Sequence, residues 1–168
     1  MLMIRSQYGV GLMEVLVALF ILAIGVIGFS ILQLRALQAM TEATDRTMAM
    51  TVARDLTDRM RINRLALNDY ISAINTPNGQ AIVSCLGSAT SYKPDCEPDK
   101  MAIYDASQIR AKANSLGQTI IMKKCDGSSR TCIYIAWGKT SITKDDVSTC
   151  MVNGVYKADA QCLVMEAY

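Results

Sequence analysis

Hydrophobic and polar positions divide the chain into three zones of different period. The first is an apolar run. Val15 to Phe29 holds no charged or strongly polar residue, and Ser30 to Leu32 extend it to 18 positions. That is about the shortest run that crosses a hydrocarbon core as a helix, roughly 17–25 residues. The second zone, beyond Gln33, is amphipathic and has no Gly or Pro before Asn75-Thr76-Pro77-Asn78-Gly79. Met48, Val52, Leu56 and Met60 recur every fourth residue, with Ala49 and Ala53 beside them, which predicts an apolar helical stripe. Arg54 with Asp58 and Asp55 with Arg59 support the solvated face. One helix from Val10 to about Ile74 would be roughly 95 Å long at 1.5 Å per residue, a stalk whose second half needs a covering head.

In the third zone the apolar period drops to two. Residues 87–99 read as irregular loop, with Pro94 and Pro98 flanking Cys96. Asp105 to Leu116 read as a short helix, Asp105 its N-cap and Gly117 its stop. Thr119–Cys125 and Cys132–Gly138 read as two strands around a turn opened by Asp126-Gly127. Val152–Tyr156 and Cys162–Tyr168 read as edge and closing strands. The fold class is therefore α+β: a long N-terminal helix, transmembrane and then amphipathic, packed on a small antiparallel sheet with cysteine-bounded loops.

Composition sharpens this picture. Lys and Arg number 17 against 15 Asp and Glu, and from Asn75 onward the balance is 10 to 9, so no direct nucleic-acid contact is expected. Arg59, Arg61 and Arg64 fit better as cations near a helix C-terminus than as a DNA contact. There is no histidine, which removes the usual general base and the commonest metal ligand. The six cysteines, Cys85, Cys96, Cys125, Cys132, Cys150 and Cys162, all lie in the polar half. No Cys-x-x-Cys pair favours zinc, so an exported, oxidised head with disulfides is the reading. Sequence does not choose the connectivity. The set Cys85–Cys96, Cys125–Cys132 and Cys150–Cys162 is favoured because each pair brackets one loop. No nucleophile motif, phosphate-cradling glycine loop or spaced calcium ligands occur, so neither a cofactor nor an enzymatic role is expected.

Glu14 does not fit an ordinary anchor. A carboxylate deep in a spanning helix costs roughly 2.5–3.5 kcal/mol, and its default reading is functional. A secretory signal peptide fails as well, because bulky Phe29, Ile31 and Leu32 stand where a cleavage site wants small residues. The stretch Gly9-Val10-Gly11-Leu12-Met13-Glu14-Val15-Leu16-Val17-Ala18-Leu19 resembles the class III signal of type IV prepilins and pseudopilins. The resemblance implies a cut between Gly9 and Val10 by a prepilin peptidase and N-methylation of Val10, although valine departs from the usual phenylalanine. Glu14 then matches the acid at the fifth mature position. An incoming subunit's amine paired with a neighbour's Glu14 at about 4 Å would gain roughly 4 kcal/mol before desolvation, enough to set filament register. Gly25 and Gly28, with Ala18 and Ala23, would let helices approach closely.

Within that family, the Val-Gly start, Ile24-Gly25-x-x-Gly28, the exit Leu32-Gln33-x-Arg35-Ala36-Leu37 and Trp137 at a strand end resemble the minor pilins called type IV pilus modification proteins, the PilV-like group. The absence of an early helix proline favours a minor subunit. The implied organisation is a leader at 1–9, a transmembrane and assembly helix at 10–32, the amphipathic half at 33–74 and a disulfide-stapled head at 75–168. The resemblance implies a single-pass protein of the bacterial inner membrane, its head in the periplasm, that passes into the pilus. Its partners would be other minor pilins and the major pilin. A minor pseudopilin of a type II secretion system is the alternative reading, and a membrane-anchored periplasmic enzyme a remote one.

Overall fold

A computed structural model describes residues 11–76, 85, 96–126 and 128–168, which divide into two compact units at Thr41/Glu42. Helix α1 (Leu12–Ile62) is followed by a 3-10 turn (Arg64–Ala66), α2 (Leu67–Asn75) and α3 (Pro98–Ser115). The strands are β1 (Thr119–Lys124), β2 (Thr131–Ala136), β3 (Met151–Val152), β4 (Val155–Tyr156) and β5 (Cys162–Glu166).

In the first unit every described residue is exposed, and an 18-residue window of α1 reaches a mean hydropathy of 3.0. Phe20 and Phe29 are 67% and 63% exposed. Water does not tolerate so long an apolar surface, so this part of α1 requires lipid or neighbouring helices.

The second unit is α+β. Antiparallel β1, β2 and β5 form a three-stranded sheet with β2 in the centre, Ile133 facing Met122 on one side and Met165 on the other. Every residue of β2 is buried, because both faces of the sheet are covered. On one face Ile120, Met122, Ile133, Ile135 and Leu163 pack under Val52, Leu56 and Met60 of α1, Tyr70 and Ile74 of α2, and Ile109 of α3. On the other, Ile121, Tyr134 and Ala136 pack with Ile142, Val147 and the Cys150–Cys162 disulfide.

The helices differ from expectation in three ways. Helix α1 stops at Ile62 rather than near Ile74, although no Gly or Pro marks the spot. Asn63 leaves helical geometry and its side-chain N–H donates to the Pro98 carbonyl at 2.7 Å, so the stop is a tertiary contact. Met48 is 42% exposed, and Ala49 holds the buried position beside it. Helix α3 begins at Pro98, where a proline at N1 costs no hydrogen bond, so Asp105 sits inside the helix and is no N-cap. Gly117, at φ +68°, does end it, with the Gly117 and Gln118 N–H groups taking the last carbonyls.

The strands differ too. Val152–Tyr156 is a hairpin, β3 with β4, rather than one edge strand, and Asn153 and Gly154 both take positive φ at its turn. The structure pairs Cys85 with Cys96, Cys125 with Cys132, and Cys150 with Cys162. Cys132 stands opposite Lys123 in register, so the Cys125–Cys132 bond runs diagonally across the two strands' ends. Gly127 of that turn, and most of the expected 87–99 loop, lie outside the described residues.

One side chain bonds the backbone of each outer strand of the sheet. The Asn75 amide donates to the Met122 carbonyl at 2.6 Å and accepts from the Met122 N–H at 2.9 Å, copying a strand pairing on β1. The Tyr156 hydroxyl accepts from the Val164 N–H at 3.0 Å on β5.

Candidate functional site

Gly9 and Val10 lie outside the described residues. Glu14 sits in the first turn of α1 and its N–H donates to the Gly11 carbonyl at 2.9 Å. An acid in a first turn is favoured by the free N–H groups of the helix start. Gly25 and Gly28 open onto empty space: a Cβ at either meets nothing within 4 Å. They are therefore not required by the chain's own packing, and what remains for them is close approach of another helix or ordinary tolerance in lipid.

Where α1 enters the second unit, two contacts hold it to the end of the sheet. The Glu42 carboxylate accepts from Trp137 Nε1 at 3.1 Å and from Gln161 Nε2 at 2.9 Å. One turn on, the Asp45 carbonyl accepts from Gln118 Nε2 at 2.9 Å. The Gln161 side-chain oxygen also accepts from the Lys139 N–H, and its path crosses Gly138, where a Cβ would collide with that oxygen. Gly138 is glycine for that reason as well as for its φ of +60°.

At the other end of the unit an ionic cluster joins three helices. Asp105 of α3 is buried and accepts from Arg59 Nη1 at 2.6 Å and from the Tyr70 hydroxyl at 2.6 Å. Arg59 also bonds Asp55 at 2.9 Å, and Lys112 reaches the same carboxylate at 3.2 Å. Asp58 pairs with Arg61. Burial alone would raise the Asp55 pKa, but hydrogen bonds and charge from Arg59 and Lys112 leave it below the ordinary carboxylate value. Burial, and then the hydrogen bond to Asp105, push the Tyr70 hydroxyl above its ordinary value.

The sign of each effect fixes a pH window. The lowered Asp55 stabilises fully above its unfolded pKa, and that share is lost as pH falls through the folded value. The raised Tyr70 stabilises fully below its unfolded pKa, and its share is lost as pH rises toward the folded value. Thermal unfolding of the full chain in detergent micelles is expected to show a midpoint flat between about pH 5 and 9 and falling on both sides. A midpoint that still climbs above pH 10 would contradict the Tyr70 assignment.

This cluster ties α1, α2 and α3 together. Among the described residues no group of three His, Cys, Asp or Glu side chains converges to hold a metal, and no cysteine is free. The sequence reading missed Glu42, Gln161, Tyr70 and the role of Asp105. A lone acid in an amphipathic helix looks like solvated surface until its partner, as far away as Trp137 or Gln161, is known.

Two family models match the chain: the prokaryotic N-terminal methylation motif over residues 4–30, and the Tt1218-like family, described as type IV pilin Tt1218, over residues 31–107. These matches support a type IV pilin. No curated protein and no solved structure matches. The matched methylation motif spans Gly9, Val10, Glu14, Gly25 and Gly28, and such a motif implies prepilin peptidase processing, membrane anchoring and assembly with pilins. The pilin match ends inside α3, so the sheet that completes the fold lies beyond it.

Proposed function

We propose that this pilin is a PilV-like minor subunit of a type IV pilus, cut between Gly9 and Val10, methylated on Val10 and keyed into the filament by Glu14. The observation that carries the reading is the methylation motif at residues 4–30 overlying a fully exposed apolar helix with an acid in its first turn. The new amine would stand four residues ahead of Glu14 in sequence, about one turn if the helix continues to it, so that amine and carboxylate of neighbouring subunits would neutralise each other in one register. Gly25 and Gly28 face open space and admit a neighbouring backbone. The subunit joins other minor pilins in a complex that primes assembly and stays at or near the tip, with roles in twitching motility, adhesion or DNA uptake. The head lies in the periplasm before assembly, where the disulfides persist.

Mass analysis of the mature N-terminus tests this first. A protein beginning at methylated Val10 is expected; an intact Met1, or a cut near residues 30–36, would overturn it. Deleting the gene is expected to reduce piliation while leaving enzyme secretion intact. The converse result would assign the chain to a type II secretion pseudopilus.

A further inference from the structure

The turn of the β3–β4 hairpin is Asn153-Gly154, one of two Asn-Gly pairs in the chain. An Asn-Gly pair is prone to deamidation, because glycine has no side chain to shield its nitrogen from the neighbouring amide. Both residues are exposed, so solvent base reaches them. In the reaction hydroxide removes the Gly154 amide proton and the nitrogen attacks Asn153 Cγ. The Cγ–Nδ2 bond breaks, and Nδ2 leaves as ammonia with a proton from water. Water then opens the five-membered ring at either carbonyl, breaking its bond to the Gly154 nitrogen and leaving aspartate or isoaspartate.

The folded turn opposes this chemistry in two ways. Asn153 and Gly154 stand at φ 52° and 77°, the signature of a two-residue type I′ turn. Such a turn sets ψ of its first central residue at about +30°. The Asn153 Cβ then lies nearly opposite the Gly154 nitrogen across the Cα–C bond, whereas ring closure needs the two eclipsed. The Gly154 N–H also donates to Asp126 Oδ2 at 3.1 Å. A carboxylate against an amide holds its proton and opposes the negative charge that deprotonation would leave on nitrogen. Asp126 is itself fixed: it follows Cys125, which is bonded to Cys132, and its N–H donates to the Tyr134 hydroxyl at 3.1 Å. The base of the hairpin has its own ties, from the Lys157 N–H to the Cys150 carbonyl at 3.0 Å and from the Tyr156 hydroxyl to β5. Its tip has less: the strands are two residues each, and Val152 and Val155 beside the turn are 49% and 68% exposed. Two strands alone are marginal, so local opening of the tip costs little once Asp126 lets go.

We infer that Asn153 is a deamidation site that Asp126 keeps closed, so that the reaction marks copies whose hairpin tip has opened. The mark is one-way. Either product sets a second carboxylate near Asp126, and isoaspartate adds a backbone methylene to a turn built for two residues. The full chain in detergent micelles, incubated near neutral pH, tests this by peptide mass mapping with isoaspartyl methyltransferase labelling. Asn153 of the folded wild type is expected to react about tenfold slower or more than in the reduced, urea-unfolded chain, since reaction through an open state scales with the fraction open. Asp126→Ala is expected to raise the rate at Asn153 about threefold or more, the weight of one hydrogen bond. The other pair, Asn78-Gly79, serves as internal clock and is expected to keep its wild-type rate. The substitution spares the Asp126 N–H and its bond to Tyr134. Hydrogen exchange of the wild type is expected to show the Gly154 amide protected.

Three wild-type results would overturn the closed site without any variant: equal rates folded and unfolded, an unprotected Gly154 amide, or no modification even in the unfolded chain. In Asp126→Ala, an Asn153 rate equal to wild type would remove the clasp, and a slower one would make the carboxylate a promoter of the reaction. An equal rise at both Asn-Gly pairs would show general unfolding in place of a local release. Each of these overturns the role given to Asp126.

Discussion

Glu14→Ala is expected to yield a protein that is still cut after Gly9 and still inserted in the membrane, yet absent from filaments. The substitution removes the carboxylate and nothing else that the described chain uses: Glu14 is exposed, and only its backbone is engaged, with Gly11. Insertion should improve, since a carboxylate in a spanning helix costs roughly 2.5–3.5 kcal/mol. Incorporation should fall, because the amine of Val10 then enters an apolar filament core without a counter-charge. At about 1.4 kcal/mol per factor of ten, even the part of the pairing that survives desolvation gives about a tenfold loss or more. Quantitative blotting of sheared filaments against membranes reads this directly. Wild-type incorporation by the alanine variant would remove the assembly role of Glu14.

Asp105→Ala carries the largest expected loss of stability in the head. It leaves the Tyr70 hydroxyl buried without its acceptor and strips Arg59 of one of two carboxylates. Breaking a buried ion pair costs about 3–5 kcal/mol, and the lower end applies because Arg59 is one-third exposed and keeps Asp55. In a chain of this size that corresponds to a fall in midpoint of about 10 °C. Tyr70→Phe removes one hydrogen bond to a carboxylate and should cost about 1.5–3 kcal/mol. Thermal unfolding of the full chain in micelles checks both, and an Asp105→Ala midpoint equal to wild type would show that the cluster holds nothing.

The two clusters show where reading the residues in order stops working. The stripe Val52, Leu56 and Met60 was legible because helix periodicity is local, and Gly117 because a helix stop needs only its own φ. Met48 was misread because the four-residue rule drifts around a 3.6-residue helix, and Ala49 moves into the buried place. The β3–β4 hairpin carried its own signal, Asn153-Gly154, which was absorbed into a strand read by alternation alone. Asp105 was misread for a different reason. An aspartate before an apolar run has the look of an N-cap, and only Arg59 and Tyr70, remote in sequence, show that it is a buried acceptor.

What the sequence by itself determined is what depends on neighbours along the chain. A membrane-length apolar run, an acid near its start and the glycine ahead of it lie within about one helical span, and no fold is needed to recognise them. The alternation in the head and the confinement of cysteine to the polar half likewise set the fold class. The tertiary structure alone decided where α1 ends, because Asn63 is drawn out of the helix by the Pro98 carbonyl and not by a breaker of its own. It alone brought Glu42 to Trp137 and Gln161, and Arg59 to Asp105. Hydrogen bonds and charge act over a few ångströms of space, and in a folded chain those ångströms join residues that the sequence keeps tens of positions apart.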